Sequence, residues 1–241
     1  MGTAIGIDIR GGGVRPDAVD AAFALLRLVD GRFSTYRQDS ELSRLIRGDI
    51  DEERCSPDLR AILGLSEDLR RTSGGFFDIR GHRPDGRPDP TGLVKGWAIE
   101  EASLLLDAAG ATDYTINGGG DTLARGEPEP GRRWRVGIRH PERPDRVAAV
   151  LEIRDLAVAT SGGYERGDHI VDPHTGRPAR DLLSMTVVGP SLTYADAYST
   201  AAFAMGLDGP AWVHGHEGYG AYAITADRRA IWTPRLDGLI V

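Results

Sequence analysis

Residues 114–225 carry a succession of β-prone runs, at 114–117, 134–138, 147–153, 156–160, 184–188 and 219–225, interrupted by a helical stretch at 192–205. Valine, isoleucine, threonine and aromatic residues concentrate in these runs, and turn-forming residues separate them. Parallel strands need a crossover of a dozen or more residues between them, usually a helix. Runs that follow one another without helices therefore pair antiparallel, and the pattern predicts an α+β fold, not βαβ alternation.

The N-terminal part supplies the helices. After a strand-like alternation of Ile5, Ile7 and Ile9, closed by Gly11-Gly12-Gly13, a helix opens at Pro16-Asp17. Its apolar residues Val19, Ala22, Phe23, Leu26 and Val29 recur at threes and fours up to Gly31. Ser56-Pro57-Asp58 is an N-cap with proline at the first helical position, and Gly74-Gly75 ends that helix. Residues 84–90 read as an exposed loop, and a further helix spans about 96–109. No internal repeat is visible. The expectation is one compact domain over residues 1–241, two packed lobes of mainly antiparallel sheet with flanking helices around a cleft.

A net charge of -7 and the lack of any basic run exclude a nucleic-acid surface, which needs clustered cations to displace phosphate counterions. Cys55 is the only cysteine, so no intrachain disulfide forms and the residue reads as packing. No apolar run has the length of a transmembrane span. No signal-type segment opens the chain as written, so the expected address is cytoplasmic, or exported if an upstream lipoprotein signal has been removed.

Five segments could carry chemistry. Asp196 and Thr200 lie four apart in a helical stretch, so they share a face and can offer two oxygens to one ion. Magnesium suits such a carboxylate and hydroxyl with a backbone carbonyl, and keeps positions for phosphate oxygens. Alone, such a pair more often marks the solvated face of an alanine-rich helix.

His169-Ile170-Val171-Asp172-Pro173-His174-Thr175-Gly176 packs two histidines able to move a proton near neutrality beside a rigid turn, in which Asp172 and Thr175 could simply satisfy backbone amides. Lys95, between Gly92 and Gly96 at the expected start of a helix, suits an anion. Asn117-Gly118-Gly119-Gly120-Asp121 and Thr160-Ser161-Gly162-Gly163 are small-residue corners that could bring bare amides to a ligand, although neither is a dinucleotide-binding fingerprint.

In order, these segments resemble the ApbE family of FAD:protein FMN transferases. Met1-Gly2-Thr3 is similar to the family's opening, and the run from Ser34-Thr35-Tyr36 through Asp39-Ser40-Glu41-Leu42-Ser43-Arg44 to its most specific motif. Gly74-Gly75-Phe76-Phe77-Asp78, Gly92-Leu93-Val94-Lys95-Gly96, Asn117 to Asp121, Ala159-Thr160-Ser161-Gly162, the His169 segment and Ala195-Asp196-Ala197 with Thr200-Ala201 complete the pattern to about Met205.

The resemblance implies a magnesium-dependent enzyme that moves the FMN half of FAD onto a Ser or Thr hydroxyl of an acceptor protein, releasing AMP. It implies a metal held by the Gly92 carbonyl, Asp196 and Thr200. Flavin contacts would come from Met1, Tyr36, Phe76, Phe77, Asp78, Thr91, Lys95 and Asp172, and His169 would aid proton transfer beside the catalytic Asp196. Hydrolysis of FAD to FMN and AMP at the same metal, or FAD carriage without cleavage, are the alternatives.

Overall fold

The computed structural model describes residues 3–11, 13–81, 86–163 and 170–241; Met1 and His169 lie outside the described residues. The β-prone runs assemble antiparallel, as their clustering requires. β1 (Ile5–Ile9), β2 (Tyr114–Gly118), β3 (Asp121–Arg125), β6 (Ala157–Gly162), β9 (Leu182–Gly189), β10 (Gly220–Thr225) and β11 (Ala230–Trp232) form a seven-stranded sheet in the order β1-β2-β3-β6-β9-β10-β11. Every neighbouring pair is antiparallel. β4 (Trp134–Arg139) and β5 (Val147–Ile153) make a separate hairpin, and β7 (Val171–Asp172) pairs with β8 (Arg177–Pro178).

Both faces of the central strands are covered. Leu123, Ala157, Ala159, Val187, Ala221 and Ala223 point into a core shared with the helices. The alternating residues Ala124, Val158, Val188, Tyr222 and Ile224 meet Trp134, Ile138, Leu151 and Ile153 of the β4–β5 hairpin. This explains why β10 is buried at every position although the sheet is antiparallel: an alternating pattern needs one wet face.

The helical layer contains α1 (Pro16–Phe33), α2 (Glu41–Arg47), α3 (Pro57–Thr72), α4 (Thr91–Ala108), α5 (Leu192–Ala204) and the short α6 (Gly209–His214). Ser40 caps α2 by accepting from the Ser43 amide, and Ser56 caps α3 by accepting from the Leu59 amide. α5 packs on β6 and β9 with α4 crossing it. Glu100 of α4 accepts hydrogen bonds from Ser191 Oγ (2.8 Å), the Thr193 amide (3.0 Å) and the Thr193 hydroxyl, so it caps α5 and locks the two helices together. Among the described residues no helix is long and apolar enough to cross a membrane.

One expectation is corrected. α4 begins at Thr91, not near Gly96, because Pro90 occupies its N-cap and Asp89 accepts from the Thr91 amide at 3.1 Å. Lys95 therefore sits one turn into the helix. The small-residue corner Asn117 to Asp121 is a β-hairpin, with Gly119 and Gly120 at φ 62° and 96° forming the two-residue turn that positive φ permits.

Candidate active site

The first turns of α4, the C-terminal end of β6 and the middle of α5 converge on one cavity of ≈ 880 Å³, open mouth included. Its polar end holds Thr91, Gly92, Lys95, Thr160, Ser161, Asp196 and Thr200. Its other wall is formed by Phe76, Phe77, Ile79, Ile170 and Pro173, with Asp78 and Asp89 at the edge.

Asp196 and Thr200 point to the same cavity from consecutive turns of α5, as their spacing predicts. The solvated-face reading fails, since Asp196 is only 4% exposed. The Gly96 amide donates to Asp196 Oδ2 at 3.0 Å, possible only because Gly96 lacks a side chain: a Cβ there would fall 2.6 Å from the Leu192 carbonyl oxygen. Gly92 approaches α5 similarly, with its Cβ position 3.1 Å from Thr200 Oγ1. Ser161 Oγ lies 3.3 Å from Thr200 Oγ1 and 2.8 Å from Ser199 Oγ, which holds the hydroxyl row in register with the end of β6.

Lys95 reaches across this floor between two carboxylates. Its ammonium contacts Asp121 Oδ2 directly and lies 3.8 Å from Asp196 Oδ1. Asp121, 1% exposed, also accepts from the Thr160 amide at 3.0 Å. Burial pushes the Asp121 carboxyl up, and the Lys95 ammonium and the Thr160 amide draw it back. Asp121 was given no role from the sequence because its partner Lys95 is remote in the chain; the signals were its place after a glycine turn and within the Asn117–Asp121 segment of the family pattern.

The remaining residues divide. Phe76 and the 3% exposed Phe77 line the cavity, the latter also belonging to the core, and Asp78 accepts from the Arg80 amide at 2.8 Å. Thr91 lines both this cavity and a side groove containing Phe33, Ser34, Tyr36 and Lys95. Tyr36 is therefore beside the main cavity, not in it, and its ring is 91% exposed. Asp172 braces its own turn: its carboxylate accepts from the His174 amide and the Thr175 hydroxyl, both at 2.9 Å, while neighbouring Val171 and Pro173 line the cavity.

The donor set suits a hard cation. Among the described residues no group of three or more His, Cys, Asp or Glu is placed to hold a metal ion, so a metal here would use one carboxylate, a hydroxyl and a carbonyl and leave positions for substrate oxygens. With Asp121 behind Lys95, two carboxylates stand against one ammonium, a formal charge of −1 that favours a bound cation.

Comparison with known proteins agrees with this architecture. The chain is 32% identical over 154 residues to the FAD:protein FMN transferase of Escherichia coli K12, covering 60% of this chain and 44% of that protein. It therefore spans less than half the length of that relative. It is 29% identical over 238 residues to the FAD:protein FMN transferase of Vibrio cholerae, covering 76% and 71%. The solved flavin transferase ApbE of Vibrio cholerae superposes with a TM-score of 0.84 at 23% identity, over 99% of this chain and 96% of that one. The ApbE protein of Thermotoga maritima superposes with a TM-score of 0.85 at 21% identity over the same shares, and both likenesses bear on the fold. The sequence model of the ApbE family matches residues 1–83 and 80–223, and on that extent of agreement the chain belongs to the ApbE family.

Proposed function

We propose that this chain transfers the FMN half of FAD to a Ser or Thr hydroxyl of an acceptor protein, releasing AMP. The observation that carries the reading is the two-ended cavity. Phe76, Phe77, Ile79 and Ile170 offer an apolar wall for an aromatic ring system, and the N-terminus of α4 with Lys95, Asp196 and Thr200 offers a polar floor for a pyrophosphate.

Asp196, Thr200 and the Gly92 carbonyl would hold Mg²⁺, which when bound neutralises charge on the pyrophosphate. The acceptor hydroxyl oxygen bonds to the flavin-side phosphorus, the bond from that phosphorus to the bridging oxygen breaks, and AMP leaves with that oxygen. The hydroxyl proton passes to a base, the part the family pattern gives to His169. The Lys95 ammonium would face the developing negative charge, whereas three amides of the first turn of α4 are already bonded, that of Thr91 to the Asp89 carboxylate and those of Leu93 and Val94 to the Pro90 carbonyl. Phe76 and Phe77 would seat the flavin and fix the phosphorus relative to the floor, since such chemistry depends on positioning more than on covalent help from the enzyme. Tyr36, with Thr91 from the shared groove, would cover the flavin or adenine from the side.

Intact-mass measurement of a candidate acceptor after incubation with FAD and Mg²⁺ tests this. The acceptor should gain the mass of FMN less one water, with an equal amount of AMP appearing. FMN and AMP without an adduct would make the chain a pyrophosphatase, and no AMP would leave it a carrier.

A further inference from the structure

Lys95 stands between two buried carboxylates and is shared unequally. It is in direct contact with Asp121 and 3.8 Å from Asp196. Asp121 is held from behind: it opens β3 straight after the Gly119-Gly120 turn, and the Thr160 amide of the next strand donates to its other oxygen at 3.0 Å. The turn packs against Thr3, since a Cβ on Gly119 would come 2.7 Å from Thr3 Oγ1. The position of the lysine is thus set by the sheet.

An ammonium placed on a carboxylate takes the lone pairs a divalent cation needs and repels that cation. If Asp121 lost its charge, Asp196 would be the remaining carboxylate of the two, and a flexible four-carbon stem would let the ammonium close on it. We infer that Asp121 is a positioning residue that holds the Lys95 ammonium off Asp196, so that Asp196 can bind a divalent cation. The inference rests on the reading of Asp196 and Thr200 as metal ligands.

Mn²⁺ binding to the chain without FAD, followed by electron paramagnetic resonance, tests it. Asp121→Asn keeps the shape and the acceptor for the Thr160 amide. It should weaken Mn²⁺ binding by about tenfold, the change in attraction expected when an ammonium moves from 3.8 Å to direct contact with a carboxylate. The double variant Lys95→Met with Asp121→Asn, which removes the competing cation, should return binding to near the wild-type value. Unchanged binding in Asp121→Asn, or a double variant as weak as the single, would overturn the inference while leaving the metal site intact. Asp196→Asn binding Mn²⁺ as tightly as wild type would remove the metal site and this inference with it. Should Asp121→Asn lose its cooperative melt, Asp121→Ser makes the same comparison, alone and with Lys95→Met, with the same outcomes.

Discussion

Replacing Gly96 with alanine should separate the two helices that build the polar floor. A Cβ at Gly96 would stand 2.6 Å from the Leu192 carbonyl oxygen and 2.9 Å from Asp196 Cβ, where ordinary contact begins at 3.4 Å. The obstructing atoms are backbone or next to it, so no rotamer change relieves the clash, and α4 must shift from α5. Overpacking of this kind costs about 3 kcal/mol, the upper part of its usual range. The Gly96 amide bond to Asp196, 3.0 Å long and buried, would weaken as well, adding about 1.5 kcal/mol. The better helix propensity of alanine offsets about 1 kcal/mol. The net loss of about 3–4 kcal/mol should lower Tm by about 7–14 °C for a chain of this size. Gly64, exposed in the middle of α3 with nothing within 4 Å of its Cβ position, supplies the control. Gly64→Ala should gain up to about 1 kcal/mol and raise Tm by about 2–4 °C. Circular-dichroism melts of both variants decide the matter, and a Gly96→Ala protein that melts at or above wild type would refute the close approach of α4 and α5.

FAD should bind more tightly than FMN in calorimetry, because only FAD brings a pyrophosphate to the floor of Lys95, Asp196 and Thr200; equal affinities would point to a flavin carrier. Tyr36→Ala should leave the melt within about 0.5 kcal/mol of wild type, as its ring is 91% exposed, yet weaken FAD binding; an unchanged FAD affinity would take Tyr36 out of the site.

The α+β class was legible because the β-prone runs from 114 to 225 carry their own spacing, and local spacing is what antiparallel pairing uses. The shared face of Asp196 and Thr200 was legible for the same reason. Whether that face met water was not, since α5 is apolar nearly all round and periodicity cannot show what covers a helix. Gly92 and Gly96 read as helix punctuation, yet they sit inside α4 where α5 comes too close for a side chain, a tertiary demand without a local signature. α2 was overlooked although its signals were present, Ser40 as N-cap and Gly48 at φ 77° closing it. β7 and β8, two residues each, are too short for any period to register. Asp121 shows the limit best, because only the fold brings it to Lys95.

The most direct measurement is the rate of covalent flavin appearance on an acceptor protein, wild type against Asp196→Ala, across a Mg²⁺ series. Loss of a metal-binding carboxylate removes several kcal/mol of charge stabilisation, so the variant should be slower by about a thousandfold or more while still melting cooperatively. A variant that flavinylates the acceptor at near the wild-type rate in limiting Mg²⁺ would contradict the account.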